Sequence, residues 1–204
     1  HRFRGCGPES ATVSRHTAEP YWRDVGTIDA YHQANMDLLQ GLPPLDLYAD
    51  HWPIRKYETP APPARIDRDG KGVSGVVADS MLSNGVVVSG GMVRRSILSP
   101  RVRIGSGAIV TDSLLFDGVH VSPGAEVRNC MVDKGVHIPA GETVGVHAAR
   151  DAARFSISDK GVVVVPHGYQ FPPRPLPSVT QRNATSHAHR LIGMRPQRQQ
   201  LVGR

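Results

Sequence analysis

Residues 96–116 read Ser96-Ile97-Leu98-Ser99-Pro100-Arg101-Val102-Arg103-Ile104-Gly105-Ser106-Gly107-Ala108-Ile109-Val110-Thr111-Asp112-Ser113-Leu114-Leu115-Phe116, with Leu98, Ile104, Val110 and Phe116 at every sixth position. The stretch also repeats. Ser80-Met81-Leu82, Ser96-Ile97-Leu98, Ser113-Leu114-Leu115 and Cys130-Met131-Val132 lie 16, 17 and 17 residues apart. Val88, Ile104, Val121 and Ile138 keep those spacings, and so do Gly91, Gly107, Gly124 and Gly141. A period of six, three times per repeat, describes short strands that turn one or two aliphatics inward and are joined by tight turns of Gly, Asn, Asp or Pro. Three such sides close a triangular coil, and stacked coils bury one continuous aliphatic core. Residues 73–146 therefore predict a mainly β fold, a left-handed parallel β-helix of hexapeptide repeats with about four coils. An amphipathic helix is excluded by the frequency of Gly, and a sandwich by the regularity of the period.

Downstream, Ala148–Arg154 reads as a short helix, and Phe155–Ile157 with Gly161–Val165 as a hairpin around Ser158-Asp159-Lys160 that closes the last coil. This assigns residues 73–168 to the β-helix domain. Residues 169–204 contain Phe171-Pro172-Pro173-Arg174-Pro175-Leu176-Pro177 and a polar, Arg-rich remainder without periodicity, and predict a disordered tail. Upstream, residues 58–72 read as a linker, because Pro60, Pro62 and Pro63 interrupt any helix or central strand and Asp67–Gly72 is turn-rich. Residues 1–57 form a separate section. Within it Thr27 is an N-cap candidate, and Ile28, Tyr31, Ala34 and Leu38 recur on one helical face until Gly41-Leu42-Pro43-Pro44 ends the helix.

The chain has 204 residues, a formal net charge of +6 and a pI near 9.7. The charge is local: residues 169–204 carry six Arg and no Asp or Glu, and removing those six from 24 basic residues leaves 18 against 18 acidic ones. The folded part is formally neutral, so no nucleic-acid partner is expected for it. Cys6 and Cys130 have no metal-type spacing, and Cys130 stands where sister repeats have Ser, as a small buried residue does. Residues 1–18 lack a long apolar core and no run reaches membrane-spanning length, so a cytoplasmic, non-membrane protein is expected. The first residue is His and the first Met is Met36, which reads as an amino terminus either processed or, the favoured reading, cut from a longer protein.

Ahead of the helix, Glu19-Pro20-Tyr21-Trp22-Arg23-Asp24-Val25-Gly26-Thr27 sets two aromatics, a guanidinium and a carboxylate just before a helix N-terminus. Tyr21–Thr27, the helix Ile28–Leu39 and the later Trp52-Pro53-Ile54-Arg55 closely resemble the bacterial glucose-1-phosphate adenylyltransferases, or ADP-glucose pyrophosphorylases, over about residues 19–167. The resemblance implies that residues 1–57 are the C-terminal remnant of a nucleotidyltransferase domain. It implies a reaction of ATP with glucose 1-phosphate that releases pyrophosphate and forms ADP-glucose for glycogen synthesis, with Mg²⁺ as cofactor. Asp24 matches one of the family's two metal-binding carboxylates, and is the expected catalytic and metal residue. Trp22 matches the aromatic beside the sugar-phosphate pocket; Tyr21 and Arg23 are supports. The family's Gly-rich nucleotide loop, first metal Asp and sugar-phosphate Lys do not precede residue 19, so this polypeptide alone is expected to be inactive.

The same resemblance gives the β-helix a regulatory and assembly role. It implies a homotetramer and binding of sugar-phosphate or adenylate effectors, with Lys134 of Met131–Pro139 at a position where a basic residue meets effector phosphate. Lys there in place of Arg gives up bidentate binding. Arg103, His120 and His137 are 17 residues apart and are expected to stack on an outer edge. A metal or general-base role for the two His belongs to the alternative reading, a stand-alone hexapeptide acyltransferase or metal-dependent hydratase. A non-catalytic scaffold is the third. His187-Ala188-His189 and Asn183-Ala184-Thr185 lie in the predicted tail and carry no site.

Overall fold

The computed structural model describes residues 21–49 and 60–172, and the described elements fall in one unit that ends at Phe171. Alternation within each short strand puts one aliphatic inward, and the repeat stacks those aliphatics coil upon coil. The first face consists of β1 (Arg65–Asp67), β4 (Val87–Ser89), β7 (Arg103–Ile104), β10 (His120–Val121) and β13 (His137–Ile138), in that order and all parallel. The second is β2 (Val76–Ala78), β5 (Met92–Arg94), β8 (Ile109–Thr111), β11 (Glu126–Arg128) and β14 (Thr143–Val144). The third is β3 (Met81–Leu82), β6 (Ile97–Leu98), β9 (Leu114–Leu115), β12 (Cys130–Val132) and β16 (Val163–Val165). The result is a triangular parallel β-solenoid of about four coils, as the repeat predicts.

Its core is three aliphatic columns: Val88, Ile104, Val121 and Ile138; Val93, Val110, Val127 and Val144; Leu98, Leu115, Val132 and Val165, all essentially inaccessible. Burying a side chain of this size contributes roughly 1.5–3 kcal/mol each. Beside the third column runs a hydroxyl ladder. Ser96 Oγ donates to the Arg94 carbonyl at 2.8 Å and accepts from Ser113 N–H at 3.2 Å; Ser113 Oγ donates to Thr111 and accepts from Cys130 N–H at 3.1 Å. Cys130 continues it with a thiol directed at the Arg128 carbonyl, and is buried as its Ser-like position predicts.

Each corner of the triangle reverses the chain through a left-handed residue. One corner uses Gly90, Gly107 and Gly124, with φ of 67°, 65° and 68°. This shifts one expectation: Gly90, not Gly91, is the counterpart of Gly107, because the coil is one residue short at this corner. Another corner stacks Asp79, Arg95, Asp112 and Asn129, all with φ near 50°, and ends in Gly145 at 78°. Asp and Asn tolerate this region better than most residues. Gly145 has no alternative, since a Cβ there would lie 1.7 Å from the Arg128 carbonyl oxygen.

Two predicted boundaries move. Part of the expected 58–72 linker is solenoid: Arg65–Asp67 forms β1 and pairs with Val87–Ser89. Its polar side chains hide a strand whose place is set by backbone pairing to the next coil, and Asp69 pins the following loop by accepting from Lys71 N–H, Val73 N–H and Ser106 Oγ. At the other end, α2 (Ala148–Ala152) and the antiparallel pair of β15 (Ser156–Ile157) with β16 form the expected closure. The tail predicted from residue 169 does not begin there, because Tyr169 and Phe171 pack with Phe155 on the core, rings 4.8 and 6.1 Å from it. Aromatic burial over the last coil outweighs the lack of periodicity. Residues 173–204, with the remainder of the predicted tail, lie outside the described residues.

α1 (Ile28–Asp37) starts as predicted, with Thr27 Oγ1 accepting from Ala30 N–H at 3.1 Å. Its buried face differs from the one expected. His32 and Met36 are buried while Ile28 is exposed, because α1 rests on the polar Asp79–Asn129 corner and not on the aliphatic core; of the expected stripe, Tyr31 is half-buried against Phe116. Among the described residues no helix is long and apolar enough to cross a membrane.

Candidate functional site

The loop before α1 carries the acidic and aromatic residues that chemistry at phosphates requires. Asp24 Oδ1 accepts from Gly26 N–H at 2.9 Å, an Asx turn that leads into the Thr27 cap, while Oδ2 has no hydrogen bond among the described residues. The turn fixes the carboxylate just outside the helix N-terminus, where the macrodipole favours negative charge. Arg23 pairs with Asp37 across the length of α1, and Asp37 also accepts from Gln33 Nε2 and Gln40 Nε2. This ties the loop to its own helix. Trp22 is 83% exposed and presents an open aromatic face.

Mg²⁺ takes oxygen ligands and is commonly held by one or two carboxylates together with substrate phosphates. Asp24 fits one such carboxylate, with Oδ2 unbonded among the described residues. No cluster of three or more His, Cys, Asp or Glu side chains suited to a metal occurs among the described residues.

α1 meets the solenoid through polar bonds that the sequence did not single out. His32 Nε2 donates to the Asp112 carbonyl at 3.0 Å. Asp29, in the first turn, accepts from Ser158 Oγ at 2.5 Å and from Lys160 N–H at 3.2 Å in the closing hairpin. Between α1 and the corner lies a groove of about 290 Å³ lined by residues that include Asp29, His32, Met36, Arg95 and Lys160. The only sequence signal for this face was the spacing of Asp29, His32 and Met36, a second helical stripe beside the apolar one.

On the solenoid, Lys134 is exposed at a corner and its ammonium makes no ion pair among the described residues. Its backbone is held on both sides: Lys134 N–H donates to Asp133 Oδ1 at 2.7 Å, and the Lys134 carbonyl accepts from His167 Nδ1 at 2.7 Å. On the first face, Arg103, His120 and His137 do form the expected outward column. The two His rings stack in parallel, 4.7 Å apart at 10°, and Ser122 Oγ lies 2.7 Å from His137 Nε2. Stacked rings point the same way and do not converge on a metal. Desolvation, followed by the charges of His137 and Arg103, holds the His120 imidazole below its ordinary pKa. Cys130, pushed up in pKa by burial, is an inert thiol.

The structure brings Trp22, Arg23 and Asp24 together on one loop and places Lys134 and the His column elsewhere on the solenoid. Residues 62–165 match the family model described as GlmU-like, C-terminal hexapeptide. Glucose-1-phosphate adenylyltransferase 2 of Vibrio vulnificus is 54% identical over 169 residues, covering 83% of this chain and 41% of that protein. The protein of the same name from Vibrio cholerae is 50% identical over 74% of this chain and 37% of its own length. Glucose-1-phosphate adenylyltransferase of an Enterobacter species is 42% identical over 78% of this chain and 37% of its own. The chain thus spans about two fifths of the length of the curated relatives it matches.

Proposed function

Since the chain belongs to the GlmU-like, C-terminal hexapeptide family and corresponds to a C-terminal portion of glucose-1-phosphate adenylyltransferases, we propose that it serves as the regulatory and assembly part of such an enzyme and contributes one catalytic loop. The observation that carries this reading is the docked Trp22–Asp24 loop and α1. A solenoid with acyltransferase or scaffold duties has no need of them, yet the 169-residue match is longer than the 62–165 hexapeptide match and so extends beyond the solenoid.

In the complete enzyme the phosphate of glucose 1-phosphate attacks the α-phosphorus of ATP, pyrophosphate leaves, and negative charge shifts among phosphate oxygens. Mg²⁺, when bound, offsets that charge. Asp24 Oδ2 would be one of the oxygens that hold it, kept in place by the Asx turn and the Thr27 cap. Trp22 lies against the sugar phosphate, and Arg23 keeps the loop on α1 through Asp37. Lys134, on a corner fixed by Asp133 and His167, meets the phosphate of a sugar-phosphate or adenylate effector. The neutral folded part, the assembly into a tetramer and a cytoplasmic setting belong to the same reading.

The test uses two proteins. The 204-residue chain alone is assayed for ADP-glucose formation, and a fusion that supplies the missing length from the Vibrio vulnificus relative is assayed beside it. The expected result is no turnover above blank for the first, activity for the second, and a loss of about 10²-fold or more for Asp24→Asn in the second, the scale of removing a group that positions transition-state charge. An Asp24→Asn fusion with undiminished kcat would overturn the role of Asp24.

A further inference from the structure

We propose that Asp29 is a positioning residue whose bonds to Ser158 and Lys160 lock the Asp24 loop to the closing hairpin of the solenoid, so that the hairpin sets where the loop stands. The inference rests on the functional reading above, in which the loop is catalytic. Three observations carry it. First, Asp29 lies in the opening turn of α1, two residues after the Thr27 cap and five after Asp24, so a force on its carboxylate reaches the loop through a single helical turn. Second, both carboxylate oxygens are engaged, Oδ1 by the Ser158 hydroxyl and Oδ2 by the Lys160 amide, across more than 125 residues of sequence. Ser158 is itself held, because its Oγ also accepts from Val162 N–H at 2.9 Å and its N–H donates to the Val162 carbonyl.

Third, the apolar contacts of α1, Tyr31 against Phe116 and the buried Met36, lie farther along the helix than the Asp29 clamp. Ile28 is exposed, the groove beneath α1 is open, and His32 supplies a separate polar bond farther along the helix. A charge-assisted hydrogen bond is roughly twice as strong as a neutral one, so the doubly bonded carboxylate dominates the docking of the helix start.

The geometry also gives the clamp a second end. From Lys160 the chain runs through β16, paired on one side with β12 and on the other with β15, to His167, which donates to the Lys134 carbonyl. A ligand at the Lys134 corner and the loop before α1 therefore hold opposite ends of one eight-residue segment, 160–167. Coupling of this kind needs an element that both sites bias, and the closing hairpin is that element.

Amide hydrogen exchange on the 204-residue chain tests the clamp without any catalysis. Ser158→Ala and Asp29→Asn are expected to speed exchange of the α1 amides by about tenfold, the scale of one lost charge-assisted bond, with β5–β11 unchanged. Ser158→Thr, which keeps the hydroxyl, is expected to restore protection. Unchanged exchange in Ser158→Ala, or equal acceleration across the solenoid, overturns the clamp. In the fusion enzyme, Asp29→Asn is expected to lower kcat or raise the Mg²⁺ concentration for half-activity at an unchanged thermal midpoint, and Ser158→Ala to do the same at a somewhat lower midpoint because the Val162 N–H also loses its partner, with rescue by Thr. If exchange rises but neither kinetic quantity moves while Asp24→Asn abolishes activity, the positioning role fails and the catalytic reading stands. If Asp24→Asn has no effect, the catalytic reading fails by itself.

Discussion

Ser113 shows how a single small side chain holds two coils together. It is fully buried, its hydroxyl donates to the Thr111 carbonyl, and it accepts from the amide of Cys130 in the next coil. Ser113→Ala leaves the buried Cys130 N–H without its partner, while the Thr111 carbonyl keeps the Asn129 N–H, at a cost of about 1–3 kcal/mol. Cys130→Ser replaces a weak donor by the group the ladder uses elsewhere, and chemical denaturation is expected to give a midpoint at least equal to that of the parent. His120 makes the pH prediction. Its folded pKa lies below 6.5 because of desolvation, His137 and Arg103, so the native state binds fewer protons there than the unfolded chain. That contribution is intact above the ordinary His value and is lost as pH falls through it toward the depressed folded value. Thermal melts between about pH 7.5 and about pH 5.5 should show the parent losing more stability than His120→Gln, a range in which His titrates and ordinary carboxylates largely do not. Parallel curves would remove His120 from the account.

At the scale of elements, legibility followed the range of the interactions involved. The solenoid strands were readable because their period is local: Leu98, Leu115 and Val132 recur where each coil must place an aliphatic inward, and they are the residues that are buried. β1 was not, since Arg65–Asp67 carries no such pattern and becomes a strand only by pairing with Val87–Ser89. The face of α1 was misread for the same reason. Apolar periodicity predicts contact with an aliphatic surface, and of that stripe Tyr31 does meet Phe116, but the hydrogen bonds of α1 run to the polar corner of Asp112 and the hairpin of Ser158. The loop residues Trp22 and Asp24 were found through resemblance; the groups that hold them, Asp29, His32 and Ser158, lie too far apart in sequence for spacing to reveal. The helix start itself was legible because capping is local. Thr27→Ala removes the bond to Ala30 N–H and is expected to weaken α1 by about 0.5–2 kcal/mol. Faster amide exchange confined to α1, with the melting of the solenoid unaltered, is the outcome that checks it.

Over the whole molecule, the two ends of the solenoid are unlike, and a stacked fold makes that difference consequential. Each coil touches only its neighbours, so stability is close to a sum of coil and interface terms and does not spread evenly. At one end, Phe155, Tyr169 and Phe171 cluster over the core, α2 covers the last coil, and Asp151 is buried while accepting from Gly145 N–H and His147 N–H. At the other, Ile66, Val73 and Val76 are 52%, 54% and 50% exposed among the described residues. Amide exchange on the chain should therefore be fastest in β1–β3 and slowest toward the middle and the capped end. Phe155→Ala is the test of nearest-neighbour behaviour. Truncating a buried Phe costs about 3–5 kcal/mol, and in a solenoid that loss is expected to appear as faster exchange in β12, β15 and β16 while β5–β8 keep their protection. Equal acceleration in every coil would mean that the stack unfolds as one cooperative block. The closing hairpin would then be too tightly coupled to the core to move on its own, and could not carry a signal from the Lys134 corner to the loop of Asp24.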